Sequence, residues 1–231
     1  MKKLLIIIVV LLALTGCASD SEETVNEEDG AVTEAESAEL YDYAKDFLLT
    51  ENDYTVSVSA DWAIDIRDIN VIKDISTDIF VGRVLSKDGC TPISGNSGFH
   101  GLLYTYGSIE VIDTIKGEAW GKINYVRNGG IMSYAEYLEQ APEEMREKHL
   151  SLIQGEMPQY ISVQMEFDIP IETGKTYLIF SIYDAETDRY HIDFAQYGLR
   201  EVTEKDGDLF VRDNDSKELN LLKEVVASLT D

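Results

Sequence analysis

Asp78-Ile-Phe-Val-Gly-Arg-Val-Leu85 is an apolar run of strand length, and its reading decides the fold. Branched and aromatic side chains dominate it, the composition of a strand packed against a core. On its C-terminal side, Lys87 to Gly101 has glycines at 89, 95, 98 and 101, a proline at 92 and no period, so a loop is expected. Leu102 to Ile115 predicts a long strand with a bulge at Gly107. Lys122 to Arg127 predicts another, stopped by Asn128-Gly129-Gly130. Ser133 to Leu152 is helix-like, with Tyr134, Tyr137, Leu138, Met145, His149 and Leu152 on one face, and Pro142 should break it. Strand character returns at Tyr160–Phe167, Thr176–Tyr183 and Arg189–Phe194. Arg200–Thr203 and Leu209–Arg212 flank Lys205-Asp-Gly-Asp208, a hairpin turn signal. Residues 216–229 predict a closing helix, with Asp215 as N-cap and Glu218 in the reciprocal capping position. On the N-terminal side, Asp68–Ser76 predicts a short helical turn with Ile69, Ile72 and Ile75 spaced by three. Thr55–Ser59 alternates as a strand, and Tyr41–Leu49 suits a short helix with Tyr43, Phe47 and Leu48 facing inward. The expectation is a mainly β (α+β) domain: a small closed barrel with a helical insertion and a C-terminal helix.

The composition is consistent with that reading. The chain has 231 residues, enough for one medium domain, and 44% hydrophobic with 10% aromatic residues can fill a core. Nineteen basic against 44 acidic residues give a net charge of -25, which repels nucleic acid instead of binding it. Two cysteines exclude a disulfide scaffold and any cysteine-rich zinc module.

Met1-Lys-Lys3 followed by the apolar Leu4–Leu14 has the form of a secretory signal, too short to span a bilayer as a helix. It ends in Leu14-Thr-Gly-Cys17, which resembles the lipobox of bacterial lipoproteins. That resemblance implies cleavage after residue 16, acylation of Cys17, and stable attachment to the cell membrane facing away from the cytoplasm. Loss of Lys2 and Lys3 with the signal takes the net charge from -25 to -27. Residues 17–40 then form an acidic tether, carrying nine carboxylates and no cation. The folded part is a single domain spanning 41–231.

The order of strands carries a second resemblance. Ser76-Thr-Asp-Ile-Phe-Val-Gly-Arg-Val84, Tyr106-Gly-Ser-Ile-Glu-Val-Ile-Asp-Thr-Ile-Lys-Gly117 and Glu172-Thr-Gly-Lys-Thr-Tyr-Leu-Ile-Phe180 are similar in apolar spacing to strands of netrin-like and metalloproteinase-inhibitor-like modules. The resemblance implies an OB-type barrel over residues 76–212. It carries no site, because that family chelates metal through a free N-terminal cysteine amine, whereas Cys17 is expected to be lipidated.

Candidate chemistry is sparse. Gly174-Lys-Thr176 ends like a phosphate loop, but Ile169 stands where the first glycine belongs and a strand follows, so a turn is expected. Gly95-Asn-Ser-Gly98 is similar to the nucleophile loop of trypsin-like proteases, yet His100 follows Ser97, and a triad would need His149 or His191. His191 and Asp193 share a strand face and supply only two metal ligands. Glu143, Glu144 and Glu147 read as a solvated face beside His149. Asp206, Asp208, Asp213, Asn214, Asp215 and Glu218 crowd the last hairpin without calcium-loop spacing. Glu166 and Asp168 are a carboxylate pair of the kind chance places in an acidic chain. Cys90, left alone once Cys17 is acylated, reads as an unreactive structural thiol, with an intermolecular disulfide as the alternative. Tyr104, Tyr106, Tyr125, Tyr160, Tyr177, Tyr183 and Tyr190 fall on predicted strands, as core or as an aromatic binding surface. No cofactor, metal or catalytic residue is assigned. The reading is a binding module for a protein, peptide or glycan, with an envelope hydrolase as the alternative. A histidine joined to Ser97 or a carboxylate in one pocket would mark the hydrolase.

Overall fold

The computed structural model describes residues 40–95 and 98–230; the signal, Cys17 and the tether up to residue 39 lie outside the described residues, as do Ser97 and the His100 side chain. In chain order the elements are β1 (Tyr41–Asp42), β2 (Tyr54–Val58), α1 (Ile69–Ile75), β3 (Asp78–Gly95), β4 (Gly98–Lys116), β5 (Lys122–Asn128), β6 (Gly130–Ser133), α2 (Tyr134–Gln140) and α3 (Glu143–Leu152). They continue with β7 (Tyr160–Met165), β8 (Thr176–Asp184), β9 (Arg189–Ile192), β10 (Leu199–Lys205), β11 (Asp208–Arg212), β12 (Leu219–Leu221) and α4 (Leu222–Thr230). The fold is mainly β. One nine-stranded sheet runs β1-β3-β4-β5-β9-β8-β10-β11-β12, and a three-stranded sheet runs β2-β7-β6. Strand β8 pairs with β3 as well as with β9 and β10, so the ladder β3-β4-β5-β9-β8 returns to β3.

Asp78–Leu85 is unbroken in apolar character because both of its faces are buried. Phe80 and Val84 pack with Ile109, Ile123, Tyr125, Ile179 and Ile192. The alternate residues Ile79 and Val81 pack on the other side with Leu178, Phe180, Val211, Leu222 and Leu229, under α1 and α4. A third cluster joins Leu103, Met132, Tyr134, Tyr137, Leu138, Ile161 and Val163 between α2 and the small sheet. Gly107 sits where backbones touch: a Cβ there would lie 2.0 Å from the Ser86 carbonyl oxygen. The register slips between Lys87 and Gly89, opposite Gly107 and Tyr106, so the bulge lies on β3 and the glycine faces it.

Several expectations change. The described parts of the segment 87–101 are not a loop: β3 runs on to Gly95 and β4 begins at Gly98, with Cys90 paired to Thr105 and Pro92 to Leu103, while residues 96 and 97 lie outside the described residues. Backbone pairing to a neighbour outweighs a turn-rich composition there. Tyr41–Leu49 is not a helix either. Tyr41 and Asp42 add to β3 as a parallel strand, and Leu48 is 79% exposed, not inward. The closing helix starts at Leu222, because Leu219–Leu221 pairs with β11 instead. Asp215 is accordingly no N-cap; it accepts from the Tyr197 hydroxyl at 3.0 Å. Pro142 does separate α2 from α3. Asp206 and Gly207, both at positive φ, close the β10–β11 hairpin.

Candidate functional site

Strand β5 ends in Asn128, and the next two residues redirect the chain. Gly129 (φ +90) and Gly130 (φ +147) hold conformations that side chains rarely adopt. A Cβ on Gly130 would also lie 2.5 Å from Thr105 Oγ1 and 2.6 Å from Cys90 Sγ. Gly129 still pairs with the large sheet, donating to Leu103 O at 2.7 Å and accepting from Thr105 N at 3.0 Å. One residue later the chain belongs to the small sheet, with Gly130 opposite Val163. The two sheets fork here, and a cleft of about 490 Å³ opens in the fork. Its walls come from the end of β5, from β6 and β7, from Asp168–Ile171, and from the segment holding Tyr43, Ala44 and Leu49.

Arg127 forms the base of the cleft. It is 3% exposed, and its guanidinium donates to Ile192 O at 3.2 Å, Ala195 O at 3.0 Å and Asp168. Phe167, at φ 59, turns the chain out of β7 so that Asp168 folds back beneath this cation. The pair is structural: the guanidinium bonds backbone carbonyls and Asp168, whose carboxylate also accepts from its neighbour Ile169 N at 2.8 Å. Asn128 Nδ2 donates to Asp193 at 2.9 Å. Burial, with a smaller contribution from the Asp168 charge, raises the Asp193 carboxyl above the ordinary aspartate value.

At the mouth, Tyr43 reaches in from the N-terminal segment. Its hydroxyl donates to Ile131 O at 2.8 Å and accepts from Ile131 N at 3.4 Å. Burial raises its pKa, and the neighbouring Cys90 adds to the shift. The Cys90 thiol is pushed up to about 12, chiefly by burial, which leaves almost no thiolate near neutral pH.

The remaining candidates lie apart. His149 shares a second pocket of about 420 Å³ with Glu156, but its Nδ1 lies 3.0 Å from the Tyr134 hydroxyl and its ring rests against Tyr54 and Tyr137, so the imidazole is joined to tyrosines and not to the carboxylate. Burial, and then Lys148, hold its pKa below the ordinary value, so the imidazole is neutral at pH 7. His191 Nε2 is 3.7 Å from Asp184, not paired with Asp193, and its ring meets Tyr104 edge-on. Glu166 is exposed while Asp168 is committed to Arg127, so the two do not act as a pair. Asp213 accepts from Asp215 N, Ser216 N and Ser216 Oγ, a turn role, and among the described residues no metal-ligating cluster exists. Lys175 pairs with Glu172 and Glu201 on the turn before β8. All seven strand tyrosines lie on strands; Tyr125 and Tyr177 are core, and Tyr183 is 38% exposed. Sequence reasoning missed Arg127, Asn128, Tyr43 and Gln164 as cleft residues. The one available signal was Asn128-Gly-Gly130, which reads equally well as a strand stop.

Compared with known proteins, the chain matches no family model, no curated protein and no solved structure.

Proposed function

We propose that this chain is an extracytoplasmic lipoprotein, held to the bacterial cell membrane by lipid on Cys17, whose β-rich domain binds a ligand in the cleft where its sheets fork. The ladder that returns to β3 supports reading the domain as a small OB-like closed barrel with the small sheet and α2–α3 inserted beside it. The observation that carries the binding reading is the cleft itself. It is preformed, because two glycines and the buried Arg127–Asp168 pair fix its walls, and its surface mixes apolar side chains with a few amide and hydroxyl groups. The ionisable groups at its base neutralise one another, so the site is equipped to hold a ligand and not to activate one. With 17 basic and 35 acidic residues across 41–231, the domain favours uncharged or basic partners.

Gln164 is exposed on the cleft wall, where a larger side chain fills the space without entering the core. Photo-crosslinking in intact envelopes tests the reading with the wild-type chain and Gln164→Trp. A partner captured by the wild type and lost in the variant supports it. Equal capture by both places binding elsewhere.

A further inference from the structure

The Tyr43 hydroxyl both donates to and accepts from one backbone residue, Ile131. In an antiparallel ladder a hydrogen-bonded pair exchanges these same two bonds, so the side chain stands where a neighbouring strand would stand. The outer edge of β6 is therefore capped by a phenol and not by a polypeptide. Upstream of Ile131 that edge is already used, since Gly129 exchanges bonds with β4. At Ile131 β4 has diverged, and Tyr43 fills the wedge against Thr105 and Cys90.

The segment that delivers Tyr43 is lightly held. Tyr41 and Asp42 pair with Ser86 and Lys87, Asp42 bonds Lys87 Nζ at 2.6 Å, and Tyr43 N donates to Lys87 O at 3.0 Å. Beyond Ala44 the main anchor is Phe47, stacked on Tyr160 at 4.6 Å, while Lys45, Asp46, Leu48 and Leu49 are exposed. We infer that Tyr43–Leu49 is a displaceable strap over the cleft, and that the ligand exchanging with it is an extended, uncharged or basic polypeptide that pairs with β6 at Ile131. The strap is an internal example of that ligand: with Lys45 balancing Asp46 it carries no net charge, it leaves the strand on β3 at Asp42, and at Tyr43 it makes a ladder-like bond pair on β6. Strand addition to an open edge is a common mode of peptide capture, with backbone bonds giving affinity and pockets giving selectivity. The strap follows directly on the acidic tether, so the cleft is guarded by the segment nearest the expected membrane anchor. This inference rests on the binding reading above.

The test uses the full chain and two labelled, end-blocked peptides of residues 43–50, which carry no net charge, one with the native tyrosine at 43 and one with phenylalanine there. In the wild type the tethered strap competes at high effective concentration and keeps both peptides out. Tyr43→Phe removes both bonds to Ile131 while keeping the ring. It should bind the tyrosine peptide about tenfold more tightly than the wild type does, and about tenfold more tightly than it binds the phenylalanine peptide. Phe47→Ala loosens the strap without touching β6 and should also raise peptide binding. Hydrogen exchange should quicken at Ile131 in Tyr43→Phe, with the β3 and β8 amides unchanged. Equal affinity for the two peptides, or no binding by either variant, overturns the proposal. Binding of a soluble glycan in the cleft with exchange at Ile131 unaltered overturns it too. If Gln164→Trp abolishes envelope capture while the peptides fail to exchange, the cleft still binds and only the strap mechanism falls.

Discussion

Replacing Arg127 by Met tests the keystone of the fork. The guanidinium is 3% exposed, its partner Asp168 has a side chain 12% exposed, and the carbonyls of Ile192 and Ala195 depend on its donors. Methionine fills much of the volume but leaves Asp168 as a buried charge with no cation and takes a donor from each carbonyl. Breaking a buried pair from one side typically costs about 3–5 kcal/mol. With a urea dependence of about 2 kcal/mol per molar, the midpoint should fall by about 2 M. The double variant Arg127→Met/Asp168→Leu removes the stranded carboxylate and should recover at least about 1 kcal/mol over the single one, although the carbonyls stay unpaired. Urea titrations followed by tryptophan fluorescence and circular dichroism, with slopes compared, measure both. A loss under about 1 kcal/mol, or a double variant no more stable than the single, would refute the claim that this pair holds the fork.

Gly107→Ala places a methyl 2.0 Å from the Ser86 carbonyl oxygen, and backbone cannot yield as a side chain tip would; a loss of about 3 kcal/mol or more is expected, read by thermal melts. Asp193→Asn keeps an acceptor for Asn128 and removes a carboxyl raised by burial. A raised carboxyl favours the fold most below its unfolded pKa and loses that contribution as pH rises through its folded one, so the variant should gain stability at neutral pH and match the wild type in acid. Cys90, with its thiol pushed up to about 12, should alkylate far more slowly in the native chain than in urea at neutral pH; rapid native labelling contradicts the burial account. Cys17→Ser should abolish lipid labelling and detergent partitioning of the mature protein, and mass spectrometry of its N-terminus checks this.

What the sequence made legible was whatever a local pattern determines. The two-sided burial of Asp78–Leu85 appears as a continuous apolar run, the β10–β11 hairpin as Asp-Gly, and the break between α2 and α3 as a proline. The errors share one cause, pairing with a distant strand. Residues 87–95 look like part of a loop because nothing local shows that β4 will bond them, and Leu219–Leu221 reads as helix until β11 takes its backbone. Tyr41–Leu49 has helical spacing yet is drawn onto β3 and β6. The cleft was invisible for the same reason. Arg127 reads as one more charge ending a strand, and its burial depends on Asp168, which a turn at Phe167 brings back 41 residues later in the sequence.

The cleft follows from a single topological choice: the chain leaves β5 and begins β6 in a different sheet within two glycines. A fork of this kind exposes backbone that neither sheet can pair, and that backbone must be satisfied or left to solvent. Below the fork, Arg127 satisfies it with a charged group fixed on a buried carboxylate, so the base is coupled to the global stability of the domain. Above the fork, Tyr43 satisfies Ile131 with a neutral hydroxyl on an exposed segment, so the mouth opens without unfolding the base. The two anchors should therefore separate by experiment. Variants at Arg127 should quicken exchange at Ile131 and at the β3–β8 amides together, whereas variants at Tyr43 should quicken Ile131 alone. That difference allows one face of the fork to be rigid enough to define a ligand while the other is loose enough to admit it.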